Sequence, residues 1–104
     1  MPLTKDFKTT VMARAHRDKD FCNALLTEAI NELLTGDVAL GKAILRDYIN
    51  ATISFEILSR MLEKNPKSLM RMLSPKGNPT SKAFFDIFHA IQKLKKMKIN
   101  VSLK

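Results

Sequence analysis

The chain has few turn-forming residues, and this scarcity limits its possible folds more than any other feature of the sequence. Its 104 residues include only three glycines and four prolines. Long stretches without either residue favour helices over the closely spaced turns of a β-sandwich or barrel. A chain of this length can bury one modest core but not two independent ones. We therefore expect a single, compact, all-α domain.

Capping residues and apolar periodicity divide the chain into about six predicted helices. The first extends from about Asp6 to Arg17, and Asp18 is placed to cap a second helix that ends at Gly36. The other helix starts are predicted from the same residue types: Asp37 for the third, Thr52 or Ser54 for the fourth, Asn65 with Pro66 for the fifth, and Thr80 or Ser81 for the sixth.

The C-terminal tail differs from the rest of the sequence. Residues 98–104 alternate apolar and polar side chains, which places Ile99, Val101 and Leu103 on one side of an extended segment. This alternation predicts a short β-strand. Because a lone strand leaves its backbone groups unpaired, we expect it to pair with a partner, such as the same tail in a homodimer.

The net charge of +8 is concentrated after the second predicted helix. Residues 1–36 carry five basic and five acidic groups, whereas residues 37–104 carry thirteen basic and five acidic groups. From Lys64 onward, ten basic residues accompany a single acidic residue, Asp86. This distribution favours a polyanionic partner such as nucleic acid, with an anionic membrane or simple solvation as the alternatives.

Neither membrane insertion nor export is predicted. No apolar run approaches the roughly 18 residues that a membrane-spanning helix requires, and the N-terminus has early charges and no apolar segment of the signal-peptide type. Binding at a membrane surface is disfavoured too, because the lysine-rich last helix needs its apolar side for the core. We expect a cytoplasmic protein.

Residues suited to catalysis or metal binding are sparse. His16 and His89 are far apart and have no carboxylate or cysteine at a recognisable spacing. Cys22, the only cysteine, falls in an apolar helical pattern typical of a buried thiol. Since there is also no glycine-rich phosphate loop and no metal-ligand cluster, we expect no enzyme, no metal and no cofactor.

Two short apolar patterns in the middle of the chain predict a pair of helices joined by a tight turn. Leu58 and Leu62 lie on the inner side of the first, and Leu69 and Leu73 lie on the inner side of the second. Ser59 suits the point where the two helices approach most closely. Such a pair is typical of a helix-turn-helix, whose second helix enters the DNA major groove, or of an ordinary helical bundle.

The outer side of the second helix and its flanks carry polar and basic residues that suit DNA. Arginine can donate two hydrogen bonds to guanine, while serine and asparagine pair with several bases. Basic side chains and free backbone amides just past the helix, or at the start of the preceding helix, can bind phosphates. The predicted DNA-contacting residues are Ser54, Lys64, Asn65, Lys67, Ser68, Arg71, Lys76 and Asn78.

Four segments resemble one known family. They are Leu-Arg-Asp-Tyr-Ile-Asn-Ala-Thr-Ile (residues 45–53), Pro-Lys-Ser-Leu-Met-Arg-Met-Leu-Ser-Pro (66–75), Gly-Asn-Pro (77–79) and Leu-Leu-Thr-Gly-Asp-Val (33–38). On these segments, and in its alternating tail, the chain resembles the addiction-module antidote family, Xre-type helix-turn-helix proteins related to the HigA antitoxins. The likeness extends from about residue 20 to the end and is most specific over residues 66–79.

The resemblance implies a lambda-repressor-like DNA-binding domain that represses its own promoter, often as a dimer and sometimes bound to a toxin encoded nearby. It maps the recognition helix to residues 66–73 and its base-facing positions to Lys67, Ser68 and Arg71. Residues 1–36 would then be helices packed on the core, residues 37–97 the DNA-binding part, and residues 98–104 a dimer contact. The alternative is a protein-binding antitoxin module that neutralises a toxin, with DNA binding secondary or lost.

The turn between the two short helices departs from the family pattern. Such turns usually contain glycine followed by an apolar residue, whereas this chain has Glu63 and Lys64. A standard turn would place Glu63 in a strained left-handed conformation, so we expect an altered turn. We also expect the Glu63 carboxylate to weaken binding to phosphates somewhat.

Overall fold

The computed structural model describes residues 18–104, which form five α-helices and no strand. The all-helical prediction is confirmed for these residues, while the helix predicted between Asp6 and Arg17 lies outside them. Within the same range, no helix combines the length and apolar character needed to cross a bilayer. The helices are α1 (Lys19–Thr35), α2 (Val38–Thr52), α3 (Phe55–Leu62), α4 (Pro66–Met72) and α5 (Ser81–Lys95).

Each of these five helices begins at a side-chain cap. Asp18 and Asp37 each accept an N–H from the residue three positions later, at 3.1 Å in both cases. Ser54 and Thr80 are the caps at the two positions where the sequence left a choice. Asn65 caps α4, as predicted, by accepting the N–H of the second helical residue at 2.8 Å. Local hydrogen bonding therefore sets the helix starts.

Three helices end in the same two-bond arrangement around a left-handed residue: Gly36 after α1, Glu63 after α3 and Lys96 after α5. The altered turn predicted at Glu63 is wrong, because this residue adopts the left-handed conformation with φ 55° and ψ 44°. Left-handed backbone costs a non-glycine residue about 1–2 kcal/mol. Bonds from the Glu63 and Lys64 amides to the last carbonyls of α3 offset that cost.

The core lies where all five helices meet. α1 and α2 pack against each other along their lengths, and α3 packs against both α4 and α5. Cys22 is buried, as predicted, and so is Ser59, whose hydroxyl donates to the carbonyl of Glu56 at 2.8 Å. The largest fully buried side chains are Leu45, Tyr48, Ile49, Leu58, Leu69, Leu73, Ile87 and Ile91.

The tail does not form the predicted strand: the structure assigns none to residues 98–104. The described residues supply no neighbouring strand, and the backbone amide of Ile99 donates instead to Oε1 of Gln92 at 2.9 Å. Ile99 is half-buried against the core, whereas Val101 and Leu103 are exposed. The tail therefore folds back onto α5 at its beginning and leaves its later apolar side chains in solvent.

Candidate nucleic-acid interface

α4 separates its apolar and polar residues onto opposite sides. Leu69 is 1% exposed, and Leu73, directly after the helix, is fully buried. Lys67, Ser68 and Arg71 are all exposed. Since an α-helix repeats every 3.6 residues, these spacings turn one side toward the core and the other toward solvent. The distribution agrees with the pattern predicted from the sequence.

A shallow groove of about 450 Å³ lies between α4, the loop after it and the beginning of α5. Lys64, Arg71 and Lys76 bring three positive charges to it from the turn, the helix and the loop. None of the described residues that line the groove is acidic, so its charge favours anions. The other lining residues are Ser68, Met72, Gly77, Asn78, Pro79, Thr80 and Ala83.

Five of the eight predicted DNA-contacting residues line this groove, and three do not: Ser54, Asn65 and Lys67. Ser54 and Asn65 use their side-chain oxygens as helix caps. Ser54 has φ 84° and ψ 149°, close to a backbone region occupied almost only by glycine. Lys67 is exposed on α4 outside the groove. Of the predicted contact residues, the groove therefore brings together Lys64, Ser68, Arg71, Lys76 and Asn78.

The loop after α4 packs closely against the end of that helix. A Cβ atom at Gly77 would overlap the carbonyl oxygens of Arg71 and Met72, so only glycine permits this approach. The amide of Gly77 donates to the carbonyl of Ser74 at 2.9 Å, and the Ser74 hydroxyl donates to the carbonyl of Arg71. The loop that carries Lys76 and Asn78 is thus fixed relative to α4.

Two cations of α2 that are not among the predicted contact residues bind this loop from inside the protein. Lys42 is 5% exposed, and Arg46 lies one turn further along the helix. The Arg46 guanidinium donates to the carbonyl of Leu73 at 2.8 Å. The Lys42 ammonium donates to three loop carbonyls, those of Ser74 at 2.9 Å, Pro75 at 3.5 Å and Gly77 at 2.6 Å.

The sequence does contain a signal for Lys42. It precedes Leu45 by three residues and Ile49 by seven, so it falls on the buried side of α2. A lysine on an apolar helical stripe needs acceptors inside the fold, because an unpaired ammonium is costly to bury. That pattern predicts an internal hydrogen-bonding role, although it does not identify the acceptors.

A second groove, of about 460 Å³, has the opposite character. It lies between the end of α1, the start of α2, α5 and the tail. Its lining is almost entirely apolar, and Leu34, Phe85 and Val101 within it are 71%, 70% and 76% exposed. The remaining lining residues are Ile30, Leu33, Val38, Ser81, Phe84, Phe88, Gln92 and Ile99.

Within residues 18–104, no group of three or more histidine, cysteine, aspartate or glutamate side chains could hold a metal ion. His89 is exposed on α5. Burial raises the pKa of the Tyr48 phenol above its ordinary value, but this side chain lies in the core rather than in either groove.

No protein-family model matches the chain, and neither a curated protein nor a solved structure matches it.

Proposed function

We propose that the chain is a sequence-specific DNA-binding transcriptional regulator of the antitoxin type, which represses its own promoter. In this proposal, α3, residues 63–65 and α4 form a lambda-repressor-like helix-turn-helix, and α4 lies in the major groove. One observation carries it: Lys64, Arg71 and Lys76 come from three segments yet line a single groove, whose described lining residues include no acidic side chain. Such a concentration of positive charge suits the phosphate backbone of double-stranded DNA.

The exposed side of α4 supplies the base contacts. Arg71 can donate two hydrogen bonds to a guanine edge, and Ser68 can pair with several bases. Met70, which directly precedes Arg71 in the helix, is 44% exposed and can contact a thymine methyl group. Lys67 adds a donor at the beginning of the helix. These residues determine sequence preference, because contacts to base edges rather than to phosphates carry sequence information.

The flanking residues supply the phosphate contacts. Lys64 and Lys76 bring charge on either side of α4, and Asn78 follows in the loop. The Ser54 and Asn65 positions, at the beginnings of α3 and α4, remain predicted contacts. The resemblance to the addiction-module antidote family supports the same assignment, together with a cytoplasmic homodimer as the form that binds DNA.

The proposal is tested by measuring fluorescence anisotropy with a duplex taken from upstream of the chain's own gene. Because each base contact contributes about 1–3 kcal/mol, the variant Lys67→Ala/Arg71→Ala is expected to bind about 100-fold more weakly. The matched control, Lys93→Ala/Lys95→Ala, removes the same charge from exposed positions of α5 outside the groove. An unchanged Kd in the first variant, with an unchanged Tm, refutes base contact by α4.

A second candidate function, a module that binds and neutralises a protein toxin, is favoured by the apolar groove. Exposed aromatic and aliphatic side chains in one concave surface are typical of a protein-binding site. Co-expression with a small reading frame adjacent to the gene, followed by size-exclusion chromatography with light scattering, tests it. We expect Phe85→Ser to abolish the complex and leave the DNA Kd unchanged. Light scattering of the chain alone tests the homodimer.

A further inference from the structure

Four backbone oxygens of the loop from Leu73 to Gly77 accept hydrogen bonds from cations of α2. Arg46 binds the carbonyl of Leu73, and Lys42 binds those of Ser74, Pro75 and Gly77. An ammonium has three N–H donors, so three carbonyls account for all of them. Lys42 is therefore fully occupied in holding the loop and contributes no donor to the surface.

The direction of these carbonyls fixes the direction of the amides that follow. The described peptide bonds are all trans, and in a planar trans peptide the N–H points opposite to the C=O. The carbonyls of Pro75 and Gly77 point at Lys42, so the amides of Lys76 and Asn78 point away from it. Within the described residues, neither amide donates a hydrogen bond to the backbone or to a side chain.

Both amides belong to residues that line the basic groove. Lys76 and Asn78 both lie along it, and the side chains of Lys64 and Arg71 lie along it as well. Backbone N–H groups without an internal acceptor, with cations around them, can bind anions. The chemistry of this part of the groove matches a phosphate group.

We infer that Lys42, assisted by Arg46, is a positioning residue that shapes the loop after α4 into a binding site for a DNA backbone phosphate. The phosphate accepts hydrogen bonds from the amides of Lys76 and Asn78, and the Lys76 side chain neutralises its charge. Lys42 itself does not touch the DNA. This inference rests on the proposed function, and it assigns a role in DNA binding to a residue buried in α2.

The first test is an NMR titration of the ¹⁵N-labelled chain with a DNA duplex. The amides of Lys76 and Asn78 are expected to shift with both promoter and unrelated duplexes, because a phosphate contact does not depend on sequence. Shifts at Ser68 and Arg71 without shifts at Lys76 and Asn78 overturn the inference and leave the proposed function intact. The absence of shifts at all four residues overturns the proposed function itself.

The second test measures Kd against salt concentration for Lys42 variants. Lys42→Met removes the donors that hold the loop, and we expect about tenfold weaker binding and a salt slope smaller by about one. Lys42→Arg keeps the charge and the donors, and it should retain most of the slope. A merely structural role would lower the Tm without changing the slope, so an unchanged slope in folded Lys42→Met overturns the inference.

If Lys42→Met does not fold, a variant that keeps Lys42 tests the same inference. Gly77→Ala places a Cβ against the end of α4 and so displaces the loop while both cations remain. We expect the same loss of about one unit in the salt slope. The wild-type slope in folded Gly77→Ala contradicts the inference.

Discussion

The two grooves have nearly equal volumes, about 450 and 460 Å³, and opposite chemistry. α5 contributes to both of them. Ala83 lines the basic groove, whereas Phe84, Phe85 and Phe88 line the apolar one. A small side chain therefore leaves room beside the basic loop, and three aromatic rings fill the other side of the same helix. One helix thus separates a surface suited to a polyanion from a surface suited to an apolar partner.

The grooves also differ in what holds them together. The basic groove depends on backbone hydrogen bonds within the loop and on two cations from α2. The apolar groove depends on ring contacts, with Phe88 at 6.3 Å from both Phe84 and Phe85, measured between centroids. Because the basic groove is held by hydrogen bonds, the displacement of a single carbonyl can disrupt it. An apolar surface tolerates small shifts. We therefore expect substitutions near the basic groove to affect binding more sharply.

The largest contrast is expected when the same acidic residue is placed in each groove. Arg71→Glu reverses a charge in the basic groove, and we expect DNA binding to weaken by more than about 100-fold at low salt. Phe85→Glu places the acid in the apolar groove and should leave the DNA Kd within about twofold. Anisotropy measures both. Equal losses would show that the two grooves do not divide the functions.

A smaller effect is expected when charge is removed from the phosphate contacts alone. Lys64→Ala/Lys76→Ala should reduce the salt slope by about two and weaken promoter and unrelated duplexes by the same factor. Lys93→Ala/Lys95→Ala serves as the control with equal charge loss. If the double variant instead changed the preference between the two duplexes, Lys64 or Lys76 would be contacting bases.

Substitutions at the helix ends beside the two grooves should change the free energy of unfolding in opposite directions. Gly36 has φ 97°, so Gly36→Ala imposes left-handed backbone on a residue with a side chain and should lower the free energy of unfolding by about 1 kcal/mol. Glu63→Gly relieves the same strain and should raise it by about 0.5 kcal/mol. Urea titration measures both values. A loss of stability in Glu63→Gly would mean that the carboxylate contributes more than the strain costs.

A substitution in the core, which both grooves share, is expected to have the smallest effect on binding at either groove. The Tyr48 hydroxyl is buried without a hydrogen-bond partner among the described residues, and burial raises its pKa. The stability that comes from keeping this phenol neutral is present below its unfolded pKa, about 10. That stability is lost as the pH rises through the higher folded pKa. Tyr48→Phe should remove this alkaline decline in thermal melts and leave DNA binding unchanged.

The preferences of individual residues for helix ends predicted much of this fold. Asp18, Asp37 and Asn65 cap helices because their side chains reach amides only two or three residues away, and Gly36 ends a helix because it accepts left-handed backbone. Such preferences are visible in the sequence itself. The inner and outer sides of α4 followed from periodicity in the same way. Five of the eight predicted contact residues consequently line one groove.

Other features could not be predicted, because no residue pattern in the sequence specifies the contacts behind them. Lys42 meets its acceptors 32 to 35 residues later in the chain, and no local pattern specifies that pairing. The tail alternates as a strand does, yet Ile99 bonds to Gln92 and the described residues offer no strand to pair with. Glu63 adopts a conformation that its residue type disfavours, because capping bonds at the end of α3 compensate.

The buried ammonium of Lys42 has a consequence for how the protein can be divided. A fragment of residues 53–78 contains α3, α4 and most of the groove, but it lacks both cations that hold the loop. Its loop carbonyls would turn to water, and Lys76 and Asn78 would lose their fixed directions. Grafting the two short helices onto another scaffold would therefore transfer the side chains without the backbone geometry. A fragment that keeps this geometry must include α2 in addition to α3, α4 and the beginning of α5.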